Sequence, residues 1–383
     1  MRILLITSKW PTIDQEIDGG CMTGLNVLDT IVGYSRVDIL LPEGYKGINI
    51  TGINKTYFYP VDKDIIENYN EKNKFMCRIK IAEIISSIVL SIHPEYDKIV
   101  VLHAFHAFAI CNGDNFLIQN KVILFPMLLT PSYIESGEDV PAIYTKKENI
   151  VLHNSRAIIT PSIFEREQIR KYYNVPSSKI SVVPRFVGRE FKFVERDLQQ
   201  FFQLNICYIA SIKKQKQNMK AVELLQQLLK MRSDYFLYIV GPIHDHSEFH
   251  SLINYIRDNG LSDRISLVRH MTQSEVNKLF SICLANISVA RCETFGRSII
   301  EGLYCGLPAF VLNDTKCFRT LIGENHGVLY FDSVYDMAIQ IHKVFKTPVL
   351  YNQMQKEARD FGVLFDEQNV KPILKDTLLC NIK

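Results

Sequence analysis

The sequence predicts an α/β protein of two doubly wound domains, each a largely parallel sheet with helices on both faces. Three observations predict it. Short apolar runs alternate with helix-period segments along almost the whole chain, the pattern of parallel strands joined by crossover helices. These runs fall into two series of about six, separated by Pro184 to Gln203, which is charged, lacks a clean period and reads as a linker. At 383 residues the chain is too long for a typical single core and suits two domains.

The first series of strands is expected at Arg2–Ser8, Val37–Leu41, Lys98–Leu102, Lys121–Phe125, Ala157–Pro161 and Ile180–Val183. The second is expected at Asn205–Ala210, Phe236–Val240, Ile265–Val268, Leu284–Val289, Ala309–Leu312 and Val328–Phe331. Helical patterns lie between most of them, for example at Ala221–Met231 and Phe249–Asn259. In open sheets of this kind ligands bind beyond the carboxyl ends of the strands. Two such sheets facing each other would therefore share a site in the cleft between them.

Composition narrows the function. A net charge of only +3 argues against a nucleic-acid binder with a broad basic face. Nine cysteines run from Cys21 to Cys380 with no CxxC pair, which suits free thiols in a reducing cytoplasm better than disulfides or structural zinc. The apolar run in "MRILLITSKWP" is too short for a secretory signal and reads as a first buried strand. No stretch approaches the ~18 apolar residues of a spanning helix. The longest amphipathic segment, "FMCRIKIAEIISSIVLSIH", is interrupted by Arg78, Lys80 and Glu83.

The stretch "CETFGRSIIEGLYCGLPAFVL", Cys292 to Leu312, carries most of the chemistry. A strand ends near Ala290 and a helix begins near Gly296, with Gly306 as its C′ residue and Pro308 beyond. Glu293 then sits in the strand–helix turn, and Glu301 lies about 8 Å along the helix. Between them the helix N-terminus offers free N–H groups to a phosphate. One carboxylate near a sugar, N–H groups near phosphates and a second carboxylate near ribose would match the length of a nucleotide sugar. The same spacing has a plainer reading. Arg297 and Glu301 stand four apart, off the stripe of Ile299, Ile300 and Leu303, as an exposed ion pair of ~0.2–0.5 kcal/mol would.

"ETFGRSIIEGLYCGLP" resembles the E-x7-E signature of retaining GT-B glycosyltransferases, especially the GT4-type group with its E-x-F-G-x-x-x-x-E-A-x-x-x-G-x-P pattern. "RAIITPSIFEREQIRKYYNVPSSKISVVPRFVGREF", "YIVGP" and "DRISLVRHMTQSEVNKLFSICLANISVA" resemble other segments of that family. The resemblance implies GT-B architecture, two Rossmann-like domains facing a central cleft. Residues 1–187 would bind the acceptor, with a C-terminal helix at 364–383 packing back on them, and residues 204–360 would bind the donor. It implies that Glu293 contacts the donor sugar, that Glu301 holds the ribose hydroxyls, and that Thr294, Phe295 and Gly296 line the sugar and phosphate.

The family supplies an arginine and a lysine to the departing diphosphate in a G-R-x-x-x-x-K pattern. Here "YIASIKKQKQNMKAV" keeps Lys216 at the lysine position but has Ser211 for the arginine and Ala210 for the glycine. Lys213, Lys214 or Arg185 are the substitutes the sequence offers for the missing charge. "EIDGGCMTGLN" resembles the family's Gly-Gly loop, where Gly19 and Gly20 would approach the donor phosphates; an ordinary glycine turn explains the spacing almost as well. In "DKIVVLHAFHAF", His103 ends a predicted strand, where related enzymes carry a histidine beside the sugar, and His106 follows a turn later.

"GPIHDHSEFH" places Gly241 and His244 after a strand, as loop residues near the nucleotide. Its spacing of His246 and His250 admits zinc, but no further ligand completes a set. Asp62 and Asp64 in "VDKD" have the letters of a DxD metal motif, yet Asp64 also suits a helix N-cap, and no metal is assigned. The segment Leu128 to Glu148 reads as a long polar loop over the acceptor side, with Tyr133 and Glu138 as acceptor contacts.

These readings lead to a retaining, metal-independent hexosyltransferase with no cofactor, moving a sugar from a nucleotide-diphosphate sugar to a glycan or lipid-linked acceptor. It is expected to be cytoplasmic, with peripheral association at the inner face of the plasma membrane for a lipid-linked acceptor, in bacterial surface polysaccharide or glycoconjugate synthesis. No nucleic-acid partner is expected. An NDP-sugar 2-epimerase of the same fold and a catalytically silent partner subunit are the alternatives.

Overall fold

The structure, a computed structural model, describes residues 1–10, 19–46, 50–61, 65, 73–112 and 116–379. The chain divides into two compact units, Met1–Pro184 with Lys371–Lys383, and Arg185–Val370.

The strands of the first unit are β1 Arg2–Ile6, β2 Arg36–Pro42, β3 Lys55–Tyr59, β4 Lys98–Leu102, β5 Val122–Phe125, β6 Ala157–Thr160 and β7 Ile180–Val182. Among the described residues they form one sheet in the order β3-β2-β1-β4-β5-β6-β7, every pair parallel. β1 lies between β2 and β4, with Ile3 opposite Val37 on one side and Lys98 on the other. Ile99, Val100 and Val101 are fully buried in sequence, which only a sheet covered on both faces allows.

Two buried charges fix this unit. The Lys98 ammonium donates to the carbonyls of Leu378 and Leu379, at 2.5 and 3.1 Å, and so caps the helix Glu367–Leu379 with the charge its C-terminus favours. Asp38 on β2 accepts hydrogen bonds from Tyr96, Asn54 and Arg2 at 2.7–2.9 Å. Burial works against its charge, but those donors outweigh burial and hold its carboxyl below the usual range.

Three expectations need correction. β3, "KTYFY", was not anticipated; it is a sheet-edge strand of aromatic residues with a partly exposed middle, and shows no apolar run. The segment Leu128 to Glu148 is not a long loop but holds helix Thr130–Glu135 and the start of helix Ala142–Asn154, which buries Tyr144, Glu148, Val151 and Leu152. Nor is Pro184 to Gln203 a free linker. From Arg185 onward it belongs to the second unit, where Phe186, Val187, Phe191 and Arg196 are buried. The Arg196 guanidinium donates to the carbonyls of Val194, Phe280, Cys283 and Cys305 at 2.7–3.1 Å and to the Gln355 side chain at 3.3 Å.

Glu148 gives the first unit a testable pH signature. Its Oε2 accepts from the Thr130 amide at 2.9 Å and from the Tyr173 hydroxyl, while Oε1 has no hydrogen-bond partner among the described residues. Burial pushes its pKa up to about 7 against the pull of those two bonds. A raised carboxyl pKa means stability that is complete below the unfolded value of 4.5 and is lost as pH rises through about 7. Buried His106 acts in the opposite sense. Burial pushes its ring down to about 3, so its contribution falls away as pH drops below the unfolded value. The difference between parent and Glu148→Gln cancels the histidine. Between pH 5 and 8 the variant should gain on the parent by roughly 2 kcal/mol in urea unfolding. Parallel stability profiles would show that Glu148 is ionised in the fold.

The second unit contains β8 Leu204–Ile209, β9 Tyr235–Val240, β10 Ile265–Val268, β11 Ala285–Ser288, β12 Ala309–Leu312 and β13 Val328–Phe331. Among the described residues they form a parallel sheet in the order β10-β9-β8-β11-β12-β13. The helices Asn218–Met231 and Val334–Phe345 pack on it through Leu224, Leu225, Leu228, Met337 and Ile341, all fully buried. The eight described cysteines of the chain are buried. Among the described residues no helix is long and apolar enough to cross a membrane.

Candidate active site

The strand order of the second unit reverses between β8 and β11, and a parallel sheet opens a crevice at such a point, beyond the strands' carboxyl ends. The loops leaving β8 and β11 carry Lys216 and Glu293. Their backbones are tied together, since the Arg291 amide donates to the Gln215 carbonyl at 2.9 Å. The Tyr208 hydroxyl, at the end of β8, donates to the Lys216 carbonyl. Gln217 then turns the chain with a left-handed φ of 49° into the helix Asn218–Met231. These constraints aim the Lys216 ammonium at Glu293 Oε1, and the two side chains, 13% and 23% exposed, form an ion pair.

The loop after β9 closes on the same edge. Ile243 bridges to Ile212, and the His244 and Asp245 amides both donate to the Ile212 carbonyl at 3.1 Å. Gly241 permits this approach. A Cβ there would lie 2.3 Å from the Ala210 carbonyl oxygen, at a φ of 155°.

Glu293 leads into the helix Arg297–Tyr304 through Phe295, which is buried against the Phe365 ring, and Gly296. Gly296 adopts a φ of 69°, and a Cβ there would collide with the Phe318 ring at 2.0 Å. Only glycine lets the helix start so close to that ring. The helix ends in a Schellman arrangement, with the Gly306 amide bonded to the Leu303 carbonyl and the Leu307 amide to the Gly302 carbonyl.

The Arg297–Glu301 pair exists, with Nε donating to Oε1 at 2.6 Å, but it is not a solvated surface pair. The two side chains are 14% and 9% exposed. Burial raises the Glu301 pKa, opposed by the neighbouring Arg297 charge. Arg297 Nη1 and Nη2 are buried and have no hydrogen-bond partner among the described residues. Sequence reasoning cast Arg297 only as a salt-bridge partner; four-residue spacing cannot tell a buried pair from an exposed one.

The structure thus joins Lys216 to Glu293 and sets Gly296 and Glu301 on one short helix behind them. Ser211 lies half-buried in the loop after β8, its carbonyl accepting from the Asn218 side chain at 3.2 Å. Arg185 and Thr294 are half-buried in this unit, and His244, His246 and His250 are exposed.

The other candidates lie in the first unit. Gly19 and Gly20 open the helix Gly19–Ile31, which also takes in Cys21 to Asn26 of the stretch expected to be a glycine loop; Glu16, Ile17 and Asp18 of that stretch, and Asp62 and Asp64, fall outside the described residues. His103 follows β4, at the switch between β1 and β4, with a left-handed φ of 74° and its amide bonded to the Phe125 carbonyl at 2.9 Å. Its ring lies 5.8 Å from the ring of His106, whose Nδ1–H donates to the Leu102 carbonyl. Tyr133 lies on the helix Thr130–Glu135 rather than on a loop, and Glu138 in the short connection that follows it. Tyr133 is buried, its hydroxyl accepting from Arg78 at 2.8 Å, and Glu138 pairs with buried Lys74.

Residues 201–361 match the family described as Glycosyl transferases group 1. A GDP-Man:Man(3)GlcNAc(2)-PP-Dol alpha-1,2-mannosyltransferase of Dictyostelium discoideum is 22% identical over 156 residues, 38% of this chain and 31% of that protein. The chain spans about a third of the length of the curated relatives it matches. Among solved structures, sucrose-phosphate synthase from Thermosynechococcus elongatus superposes with a TM-score of 0.80 at 16% identity, over 98% of both chains. Anabaena HepE in complex with UDP and glucose gives a TM-score of 0.75 at 13% identity, over 99% of both. The fold is therefore GT-B, and the stretch of the second unit from 201 to 361 is similar to the glycosyl transferases group 1 family.

Proposed function

We propose that the protein is a retaining, metal-independent glycosyltransferase that takes a sugar from a nucleotide diphosphate and passes it to a hydroxyl of a glycan or lipid-linked saccharide. The observation that carries this reading is the Lys216–Glu293 ion pair, held at the sheet's switch point, with the buried Glu301 on the helix that follows. UDP and glucose in HepE and a GDP-mannose donor in the Dictyostelium relative's name support a nucleotide sugar as the donor class.

The chemistry follows from charge. As the glycosidic bond lengthens, negative charge grows on the diphosphate and positive charge on the sugar ring. Lys216 and the first amides of the helix Arg297–Tyr304 stabilise the former, and Glu293 positions the sugar and faces the latter. Glu301 holds the ribose hydroxyls, and a donor phosphate oxygen takes the proton of the acceptor hydroxyl. The enzyme works in the cytoplasm, meeting lipid-linked acceptors at the membrane surface, in assembly of a bacterial surface polysaccharide.

A panel of nucleotide sugars, UDP-glucose and GDP-mannose among them, tests the reading by release of free nucleoside diphosphate. Slow hydrolysis of one donor by the parent, abolished in Glu301→Ala, is the expected result. No release from any donor, with or without added saccharide acceptors, would overturn the reading in favour of a silent subunit.

A further inference from the structure

We infer that Arg297 is the second cation of the diphosphate site, standing in for the arginine replaced here by Ser211. The inference rests on the nucleotide-sugar reading above. Its starting point is an imbalance in hydrogen bonding. Arg297 spends Nε on Glu301 Oε1, at 2.6 Å, and this contact fixes the plane of the guanidinium. The far edge, Nη1 with Nη2, is buried and finds no acceptor among the described residues. Buried N–H groups left unpaired are costly, and native proteins seldom keep them without a use.

The shape and charge of that edge define what it takes. Two parallel N–H donors in a plane match two oxygens of one phosphate, a geometry that a lysine cannot offer. Glu301 balances only one charge, and Glu190 also acts on that carboxylate, so the pocket is not short of anions of its own. The edge remains unpaired even so, which marks it as set for an acceptor that the described residues do not supply. Arg297 is also the first residue of its helix, four residues beyond Glu293, whose carboxylate already holds Lys216. A diphosphate bound between Glu293 and Glu301 would lie along the helix start that carries Arg297. The other substitutes fit less well, as Lys214 is exposed.

Calorimetry on the full chain tests this with UDP and GDP as probes, and uridine and guanosine as their phosphate-free counterparts. Arg297→Met keeps the stem and removes the fork; it should weaken binding of the preferred diphosphate on the order of 10- to 100-fold and leave the nucleoside unchanged. Arg297→Lys should fall between, and Ser211→Arg added to Arg297→Met should restore much of the loss. Thermal melting confirms that each variant folds. Equal losses for diphosphate and nucleoside would overturn the inference and make Arg297 an orienter of Glu301. Unchanged diphosphate binding would overturn it and leave Arg297 a structural partner. If the parent binds none of the four probes, it is the nucleotide-sugar reading that fails.

Discussion

Replacing Lys216 with methionine is expected to lower turnover of the preferred donor by about 100- to 1,000-fold, with little change in melting temperature. Lys216 is 13% exposed, so its charge acts in a partly desolvated setting where a fixed cation is worth far more than in water. Methionine retains most of the stem, and the backbone bonds from Tyr208 and between Arg291 and Gln215 do not use the ammonium. The fold should therefore stand. The loss should appear in kcat more than in KM, because the diphosphate carries more charge in the transition state than in the bound ground state. Glu293, left without its cation, would also swing from its position. Steady-state release of nucleoside diphosphate measures both constants. A variant with parental kcat would remove Lys216 from the chemistry and reduce the ion pair to a structural one.

Arg196→Met carries the largest expected effect on stability, a loss on the order of 3–5 kcal/mol for the second unit. The guanidinium has no carboxylate partner among its hydrogen bonds. It is instead wrapped by four carbonyls and the Gln355 side chain, and burial lowers its pKa. Removing it takes the donor from the Cys283 carbonyl and leaves the Phe280 and Cys305 carbonyls only longer bonds of 3.3–3.4 Å from backbone amides, and methionine cannot repair that. Arg196→Lys should recover only part, since one ammonium cannot reach acceptors spread around a planar fork. Chemical unfolding of the full chain, followed by the midpoint of the second unit, reads the effect. A loss below about 1 kcal/mol would mean that water replaces the guanidinium at little cost.

Arg196 also shows where sequence legibility stopped. The stretch around it is charged and aperiodic, and charge normally signals solvent, so it was read as a tether. The same rule misled at Glu148, a glutamate in the interior of a helix whose polar letters suggested a loop. Strands such as Lys98–Leu102 and Ala309–Leu312 were legible because burial on both faces demands an unbroken apolar run. β3 was not, because an edge strand has no such demand. At the site, E-x-F-G with its second glutamate was legible as a motif. What the motif could not carry was the third dimension: that Lys216 reaches Glu293, and that the Arg297–Glu301 pair is buried with two nitrogens to spare.

The capping of the helix Glu367–Leu379 by Lys98 has a consequence for the order in which the chain acquires structure. Donor and acceptor are 280 residues apart. At ~5–20 residues per second of synthesis, the lysine waits tens of seconds for its carbonyls. Throughout that interval the first unit holds a lysine in the middle of its sheet with neither carbonyl yet made. The second unit, Arg185–Val370, is one continuous segment and is complete in the chain before that helix is. Consolidation should therefore run against the order of the sequence, the second unit closing first and the first unit last.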